Sequence, residues 1–352
     1  TYEGGNTPVP ISLEGAVFSD ETEIILFDGN RIVDYTLNTA EGNTEILLDA
    51  AVFKGVENGN HELLILYGGV GYSVEFTVNF KWQVAREEFL PERKSEGDMN
   101  IKLCAFADEG AKDFSAQLQI LKQERIPLIE LRCLDGINIS DISLNDAIKY
   151  KKLLDDADIA VWSLGSPLGK TSTNEKFEKE TAKADHLFKL AQIFETDRIR
   201  IFSFYTSEHA ADRAKVLYRL RIFAGQAKNY GITLFHENEK GIYGDLPERV
   251  KDLLDHVQNL GSVFDPANYV QCGADAFKAA EILQGRIGYY HIKDAKFSDG
   301  EVVPAGEGNG QIKKIIADIA EDTVLSLEPH LMHAKNAEQI YGSRRAAFAV
   351  AA

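Results

Sequence analysis

Apolar and polar side chains alternate strictly between Tyr72 and Trp82. A period of two is typical of a β-strand with one buried side and one solvent-facing side. Shorter apolar runs, separated by turn-forming clusters of Gly, Asn and Asp, predict further strands over residues 24–27, 32–37, 46–53 and 63–67. Because no helical pattern lies between these runs, we predict a small all-β sandwich domain over residues 1–85.

A charged segment, residues 86–98, contains a proline and a glycine and is predicted to be a linker. From residue 99 onward, apolar runs alternate with stretches of helical period, such as 114–125 and 187–194. The apolar runs cover residues 101–106, 128–131, 159–164, 199–204, 232–235, 262–264, 288–291 and 324–327. Eight β/α units predict an α/β fold, a (β/α)8 TIM barrel over residues 99–352, since the alternative, an open doubly wound sheet, usually has fewer strands.

Each of the last four predicted strands ends in a residue that can bind a metal ion. These residues are Glu237, Asp265, His291 and Glu328, and each is one β/α unit from the next. In a TIM barrel the carboxyl ends of the strands meet at one mouth, so the four side chains are predicted to converge there. Three carboxylates and one imidazole suit a divalent ion, with Mn²⁺ expected and Mg²⁺, Co²⁺ or Zn²⁺ as alternatives.

A single acidic residue at a strand end is more often a helix cap or a solvated loop residue than a metal ligand. Four consecutive strands that end in this way are harder to explain, because crowded carboxylates without a counter-ion repel one another. We therefore predict one divalent metal ion per chain.

These residues resemble the xylose isomerase-like superfamily of sugar isomerases and epimerases, in which Glu, Asp, His and Glu from strands five to eight bind one metal. The resemblance covers roughly residues 100–335. It includes three further motifs, Phe106-Ala107-Asp108-Glu109, Ile129-Glu130-Leu131-Arg132 and Ala305-Gly306-Glu307-Gly308. The all-β region resembles, more loosely, the Ig-like accessory modules of carbohydrate-active enzymes.

The resemblance implies an isomerase or epimerase that removes a proton next to a sugar carbonyl and passes through an enediolate. In the ketose 3-epimerases of the superfamily the two metal-bound glutamates move the proton, which implies Glu237 and Glu328 as the acid/base pair. The predicted substrate-binding residues are Lys293, Glu130, Arg132, His236 and Asn268. For Lys293 the alternative is an ion pair with a neighbouring acid such as Asp294.

Two other functions stay open at this point. The same site can drive a metal-dependent elimination, for instance lyase cleavage of an oxidised glycoside, because both reactions begin with proton abstraction beside a carbonyl. A protein without catalytic activity that binds sugar or acts as a scaffold is the third interpretation. Apurinic-site endonucleases share the superfamily, but their three-zinc cluster needs a histidine three residues after the strand-six aspartate, where this chain has Asn268.

Two glycine-containing runs invite a phosphate-binding interpretation. Residues 165–171 resemble a P-loop but are one residue short between the glycines, so we interpret them as the loop after the third strand. Residues 306–310 are predicted to form a turn before the last helix rather than a phosphate cradle.

Composition and charge limit the classes of molecule that the protein is expected to bind. The chain has 352 residues and a formal net charge of −17, so it lacks the basic surface that nucleic acid requires. No run approaches the roughly 18 consecutive apolar residues of a membrane span, and no signal peptide is recognised. Three cysteines without a CxxC pair suit a reducing cytoplasm. We expect a small carbohydrate as the partner, no nucleic acid and no membrane, and leave a homo-oligomer open.

Overall fold

The structure is a computed structural model that describes residues 9–13, 24–27, 30–31, 35–40, 43–48, 59–67, 70–78, 101–319, 322–333 and 336–351. The chain divides into two compact units, residues 1–97 and 98–352, and each is described by itself. Both predicted domain boundaries, and the linker predicted at 86–98, stay predictions because residues 79–100 lie outside the described part of the chain.

Two antiparallel sheets are described in the first unit. The strands are β1 (Val9–Leu13), β2 (Ile24–Phe27), β3 (Asn30–Arg31), β4 (Tyr35–Ala40), β5 (Asn43–Leu48), β6 (Gly59–Tyr67) and β7 (Val70–Val78). One sheet has the order β1-β5-β4 and the other the order β3-β2-β6-β7. The segment of strict alternation that begins at Tyr72 supplies most of β7, which pairs with β6 from Tyr67↔Val70 onward. The packing of the two sheets against each other is not described, so the sandwich arrangement stays a prediction.

Eight parallel strands in the second unit close into a barrel, which confirms the predicted TIM barrel. In chain order they are β8 (Ile101–Ala105), β9 (Leu128–Leu131), β12 (Ala160–Gly165), β13 (Arg198–Ile201), β14 (Thr233–Glu237), β15 (Leu260–Phe264), β16 (Ile287–Ile292) and β19 (Thr323–Leu327). Two hairpins extend from the loops after β9 and β16: β10 (Cys133–Leu134) with β11 (Ile137–Asn138), and β17 (Asp294–Ala295) with β18 (Val302–Val303).

Helices surround the barrel, and at least one lies between each pair of barrel strands that are consecutive in the chain. They are α1 (Phe114–Gln123), α2 (Leu144–Ala157), α3 (Phe177–Ile193), α4 (His209–Asn229), α5 (Pro247–His256), α6 (Pro266–Gln271), α7 (Ala276–Ile282), α8 (Ile312–Ala317), α9 (Ala337–Tyr341) and α10 (Arg344–Ala351). Polar caps fix several helix starts, because the side chains of Asp113, Ser143, Asp265 and Asp275 accept backbone N–H bonds. No described helix is long and apolar enough to cross a membrane.

Large side chains fill the barrel interior below its mouth. Phe235 and Tyr289 pack there with Trp162, Val263 and Cys104. Gly261 and Gly288 make room for Phe235, since a Cβ on either glycine would lie 2.5 Å or 2.2 Å from Cε1 of its ring. The interior below the mouth is therefore a packed core.

Candidate metal centre

Four acidic and imidazole side chains converge at the mouth of the barrel. Glu237 is the last residue of β14, Asp265 follows β15, His291 lies in β16 and Glu328 follows β19. All four are buried, and one ligand atom from each lies within 4.8 Å of the others. The structure thus brings together the four residues predicted as metal ligands.

The arrangement fits a divalent cation. His291 Nδ1 is buried and has no hydrogen-bond partner among the described residues. It lies 3.4 Å from Glu237 Oε1, 3.2 Å from Glu328 Oε2 and 4.0 Å from Asp265 Oδ2. A nitrogen lone pair and three carboxylate oxygens that face one point form a donor set for a divalent metal ion. These four residues could hold the metal.

Glu130 lies behind the imidazole of His291. Its Oε2 is 3.2 Å from His291 Nε2 and accepts a hydrogen bond from Ser326, while Oε1 accepts one from the Tyr289 hydroxyl. A carboxylate on the far nitrogen fixes the tautomer and the orientation of a metal-binding histidine. Both oxygens of Glu130 are engaged in this way, so the geometry favours a positioning role over the substrate contact predicted from sequence.

Replacing Glu130 by Gln is expected to weaken metal binding by about 10–100-fold, because the amide holds the His291 ring less firmly and lowers its basicity. The measurement is a metal titration of the full chain against a chelating dye. Glu180→Gln is the matched control, since Glu180 is also buried but binds Gly169 N–H and Lys183 away from the metal ligands. An unchanged metal affinity in Glu130→Gln would show that Glu130 does not position the ligand.

An arginine contacts each of the two glutamates. Arg132 Nη1 donates to Glu328 Oε1 at 2.9 Å, and Arg200 Nη1 donates to Glu237 Oε2. Each glutamate therefore directs one carboxylate oxygen to an arginine and the other to the group of predicted metal ligands. Burial disfavours a charge on Glu237, but the charges of Arg200 and His291 outweigh it and lower the Glu237 pKa below its usual value. Arg200 was not among the residues predicted from sequence.

Lys293 forms ion pairs with two of the predicted metal ligands, Asp265 and Glu328. Its Nζ is 2.6 Å from Asp265 Oδ2 and 3.3 Å from Glu328 Oε2. Burial opposes its charge, whereas Asp265, Glu328 and Glu237 raise the Lys293 pKa above its usual value. The ammonium group is thus held at the edge of the cluster, which is compatible with the substrate contact predicted for it.

Two other predicted substrate-binding residues contact protein groups: His236 on the opposite face of its strand, and Asn268 beside Glu237. His236 is adjacent to Glu237 in β14, so the two side chains point to opposite faces of the strand. Its Nε2 lies 2.9 Å from Ser203 Oγ, and burial lowers its pKa to about 3. Asn268 is buried and donates to Glu237 Oε1 at 3.2 Å and to the Asn238 carbonyl. The geometry favours roles for both in holding the site together.

Asn238 is a further residue that sequence reasoning missed. Its Nδ2 donates to the backbone carbonyl of Asp265, and its Oδ1 accepts the Asp265 N–H, both at 2.9 Å. This pair of bonds fixes the backbone of one ligand from the end of the neighbouring strand. The signal in the sequence was weak, since Asn238 reads as an ordinary loop residue after Glu237.

The two glycine-containing runs bind protein groups. Asp294 accepts N–H bonds from Gly306, Gly308 and Gly310 at 2.8–3.0 Å, so a carboxylate of the chain fills the position that a phosphate would take. A Cβ on Gly308 would lie 2.3 Å from Asp294 Oδ1. In residues 165–171, backbone carbonyls accept bonds from Phe202, Phe204 and Tyr205, which joins the loops after β12 and β13.

A closed eight-stranded α/β barrel with a buried acidic and imidazole cluster at its mouth defines the class: a TIM barrel with a candidate metal centre. Residues 126–348 match the model of the family described as Xylose isomerase-like TIM barrel, and the chain belongs to this family. No curated protein matches the chain.

Solved structures share the fold at low sequence identity. The probable 3-DHS dehydratase AsbF from Bacillus anthracis is 21% identical, with 72% of this chain and 98% of that chain covered and a TM-score of 0.57. The IolI protein with a binding zinc atom is 18% identical, with 71% and 95% covered and a TM-score of 0.57. D-psicose 3-epimerase in the presence of D-fructose is 15% identical, with 65% and 84% covered and a TM-score of 0.50.

Proposed function

We propose that the barrel is a divalent-metal-dependent isomerase or epimerase of a sugar or sugar derivative. The observation that carries this proposal is the pair Glu237 and Glu328, which approach the metal cluster from two different strands with one oxygen each. Two carboxylates at one reacting carbon allow one to remove a proton and the other to return it. The bound metal is proposed to be Mn²⁺, one ion per chain.

Each residue of the site has a role in this scheme. The metal, when bound, supplies a Lewis acid for the charge that develops when a proton leaves the carbon beside a carbonyl. Glu237 and Glu328 move the proton, and Arg200 and Arg132 hold their outer oxygens so that each base points at the substrate. Lys293, at the edge of the cluster, donates to substrate oxygens. Glu130 keeps the His291 ring in place.

A lyase is the second candidate. Elimination also begins with removal of a proton beside a carbonyl, and the same carboxylates serve it. We keep this candidate because a protein of the same fold is described as a probable dehydratase. The two reactions diverge once the proton has left: an isomerase or epimerase returns a proton, whereas a lyase expels a leaving group.

The deciding experiment is solvent deuterium exchange with the metal-loaded full chain. A panel of ketoses and of glycosides that carry a ring carbonyl is incubated in D₂O and monitored by NMR and mass spectrometry. Metal-dependent deuterium incorporation beside the carbonyl, without bond cleavage, supports the isomerase or epimerase. Incorporation or proton loss that accompanies cleavage favours the lyase. A loaded protein that exchanges no member of the panel contradicts the proposal.

A further inference from the structure

The metal ligands occupy one half of the barrel mouth. They come from β14, β15, β16 and β19, whereas the opposite half is bounded by β8, β9, β12 and β13. Arg200, on β13, is the buried cation on the border of that half that contacts Glu237.

The two arginines of the site differ in how their donors are used. Arg132 donates from Nε and Nη2 to the two oxygens of Asp108, at 2.8 Å and 3.1 Å, and from Nη1 to Glu328. Arg200 likewise donates from Nη1 to a glutamate, Glu237. Its Nε is buried and has no hydrogen-bond partner among the described residues. The ion pair described for its guanidinium group runs from Nη1 to Glu237.

A glycine lets the guanidinium group and the Phe106 ring lie close to the neighbouring strand. Gly165, at the end of β12, pairs with Arg200 in the sheet register. A Cβ on Gly165 would lie 3.2 Å from Arg200 Nη2 and 2.5 Å from a ring carbon of Phe106. The guanidinium group also lies over the rings of Phe106 and Phe202, with 5.5 Å and 4.6 Å to the ring centroids, and these two contacts restrict its orientation.

A buried guanidinium group with unmatched donors is costly unless an acceptor arrives. We propose that the Nε/Nη2 edge of Arg200 binds a carboxylate of the substrate, in the way that the same edge of Arg132 binds Asp108. The planar fork of arginine matches the two oxygens of a carboxylate, whereas a single hydroxyl group satisfies only part of it. This inference rests on the proposed function and narrows its substrate class to carboxylated sugar derivatives.

Binding of the acid by Arg200 also orients the substrate. One guanidinium group then binds both the substrate carboxylate and the outer oxygen of Glu237. The position of the substrate is therefore fixed relative to the carboxylate that moves the proton. Preorganisation of this kind favours reaction because the reacting atoms are aligned on binding.

The test is calorimetric titration of the metal-loaded full chain with D-glucuronate and D-galacturonate and with their neutral partners, D-glucose and D-galactose. We expect each acid to bind at least about tenfold more tightly than its neutral partner. In Arg200→Lys, which keeps the charge but loses the fork, the acid affinity falls by roughly 10–100-fold and the neutral sugars change little.

Arg198→Lys is the matched control, because Arg198 lies two residues earlier on β13, stacks on Trp162 and pairs with Asp197. Arg200→Gln, the second variant, is used if the lysine variant loses its metal or unfolds. Equal affinity for acid and neutral sugar in the wild-type protein, or an acid affinity that Arg200→Lys leaves unchanged, overturns the inference. If the wild-type protein exchanges deuterium into neutral ketoses but binds acid and neutral sugar equally, the inference is refuted while the proposed isomerase stands. Acid binding that depends on Arg200, without any exchange, would refute the isomerase alone.

Discussion

Replacing Glu237 or Glu328 by Gln is expected to lower the rate of proton exchange by roughly 10²–10⁴-fold, since an amide cannot take up the proton. The structure adds a second consequence. Each glutamate uses one oxygen for an arginine and the other for the metal cluster, and Gln has only one oxygen to offer. Metal affinity therefore falls as well, although less than when a ligand side chain is removed.

The measurement pairs exchange rates at saturating Mn²⁺ with metal content and the thermal shift between the apo and loaded forms. Glu195→Gln is the control, because Glu195 is exposed and its carboxylate pairs with Lys151, outside the ligand cluster. A Glu328→Gln variant that exchanges normally with bound Mn²⁺ would remove Glu328 from proton transfer. A one-base mechanism at Glu237, or the lyase, would then explain the site better.

The barrel and the convergence of its four metal-competent residues follow from local sequence pattern. Eight apolar runs at β/α spacing predict eight strands, and a closed parallel barrel brings their carboxyl ends to one mouth. Because Glu237, Asp265, His291 and Glu328 stand at or beside those ends, their meeting did not depend on side-chain detail. The strand bounds differ by at most three residues, which does not alter which ends meet.

The surroundings of the cluster were harder to predict. In Arg198-Ile199-Arg200-Ile201 apolar and charged residues alternate, which in an open sheet indicates a strand with its charged side in solvent. In a closed barrel that polar side faces inward, so Arg200 is 4% exposed and reaches Glu237. Arg200 becomes part of the site only because the sheet closes into a barrel, and the local sequence pattern of this strand does not show that closure.

Strand alternation, which the prediction of His236 as a substrate-binding residue did not use, favours another role for this residue. Neighbouring residues of a strand point to opposite faces, so His236 and Glu237 cannot both face the mouth. For Glu130 the alternation was right, since it points inward, but its partners come from two distant strands that carry Tyr289 and Ser326. Contacts between residues so far apart in sequence depend on the register of the closed barrel, which no local pattern specifies.

Removing a ligand side chain should have the largest effect on metal binding. In Asp265→Ala and His291→Ala we expect the metal affinity to fall by more than the 10–100-fold expected when only an outer hydrogen-bond partner is lost. A metal at 100 times its dissociation constant stabilises the folded state by about 2.7 kcal/mol, and a 100-fold weaker site at the same concentration gives only about 0.4 kcal/mol. The apo-to-loaded thermal shift should therefore nearly vanish.

Asp265 is both a predicted metal ligand and the cap of α6, and the experiment must separate these two roles. Its carboxylate also caps α6 by accepting the Asn268 N–H at 2.8 Å, and loss of such a cap costs about 1 kcal/mol in either form of the protein. Asp275→Ala is the matched control, because Asp275 caps α7 through Lys278 N–H at 3.0 Å and is not a predicted ligand. Asp275→Ala should lower the melting temperature of both forms equally and keep the shift between them. If Asp265→Ala behaves like Asp275→Ala and retains its metal, Asp265 is a helix cap and the metal is bound without it.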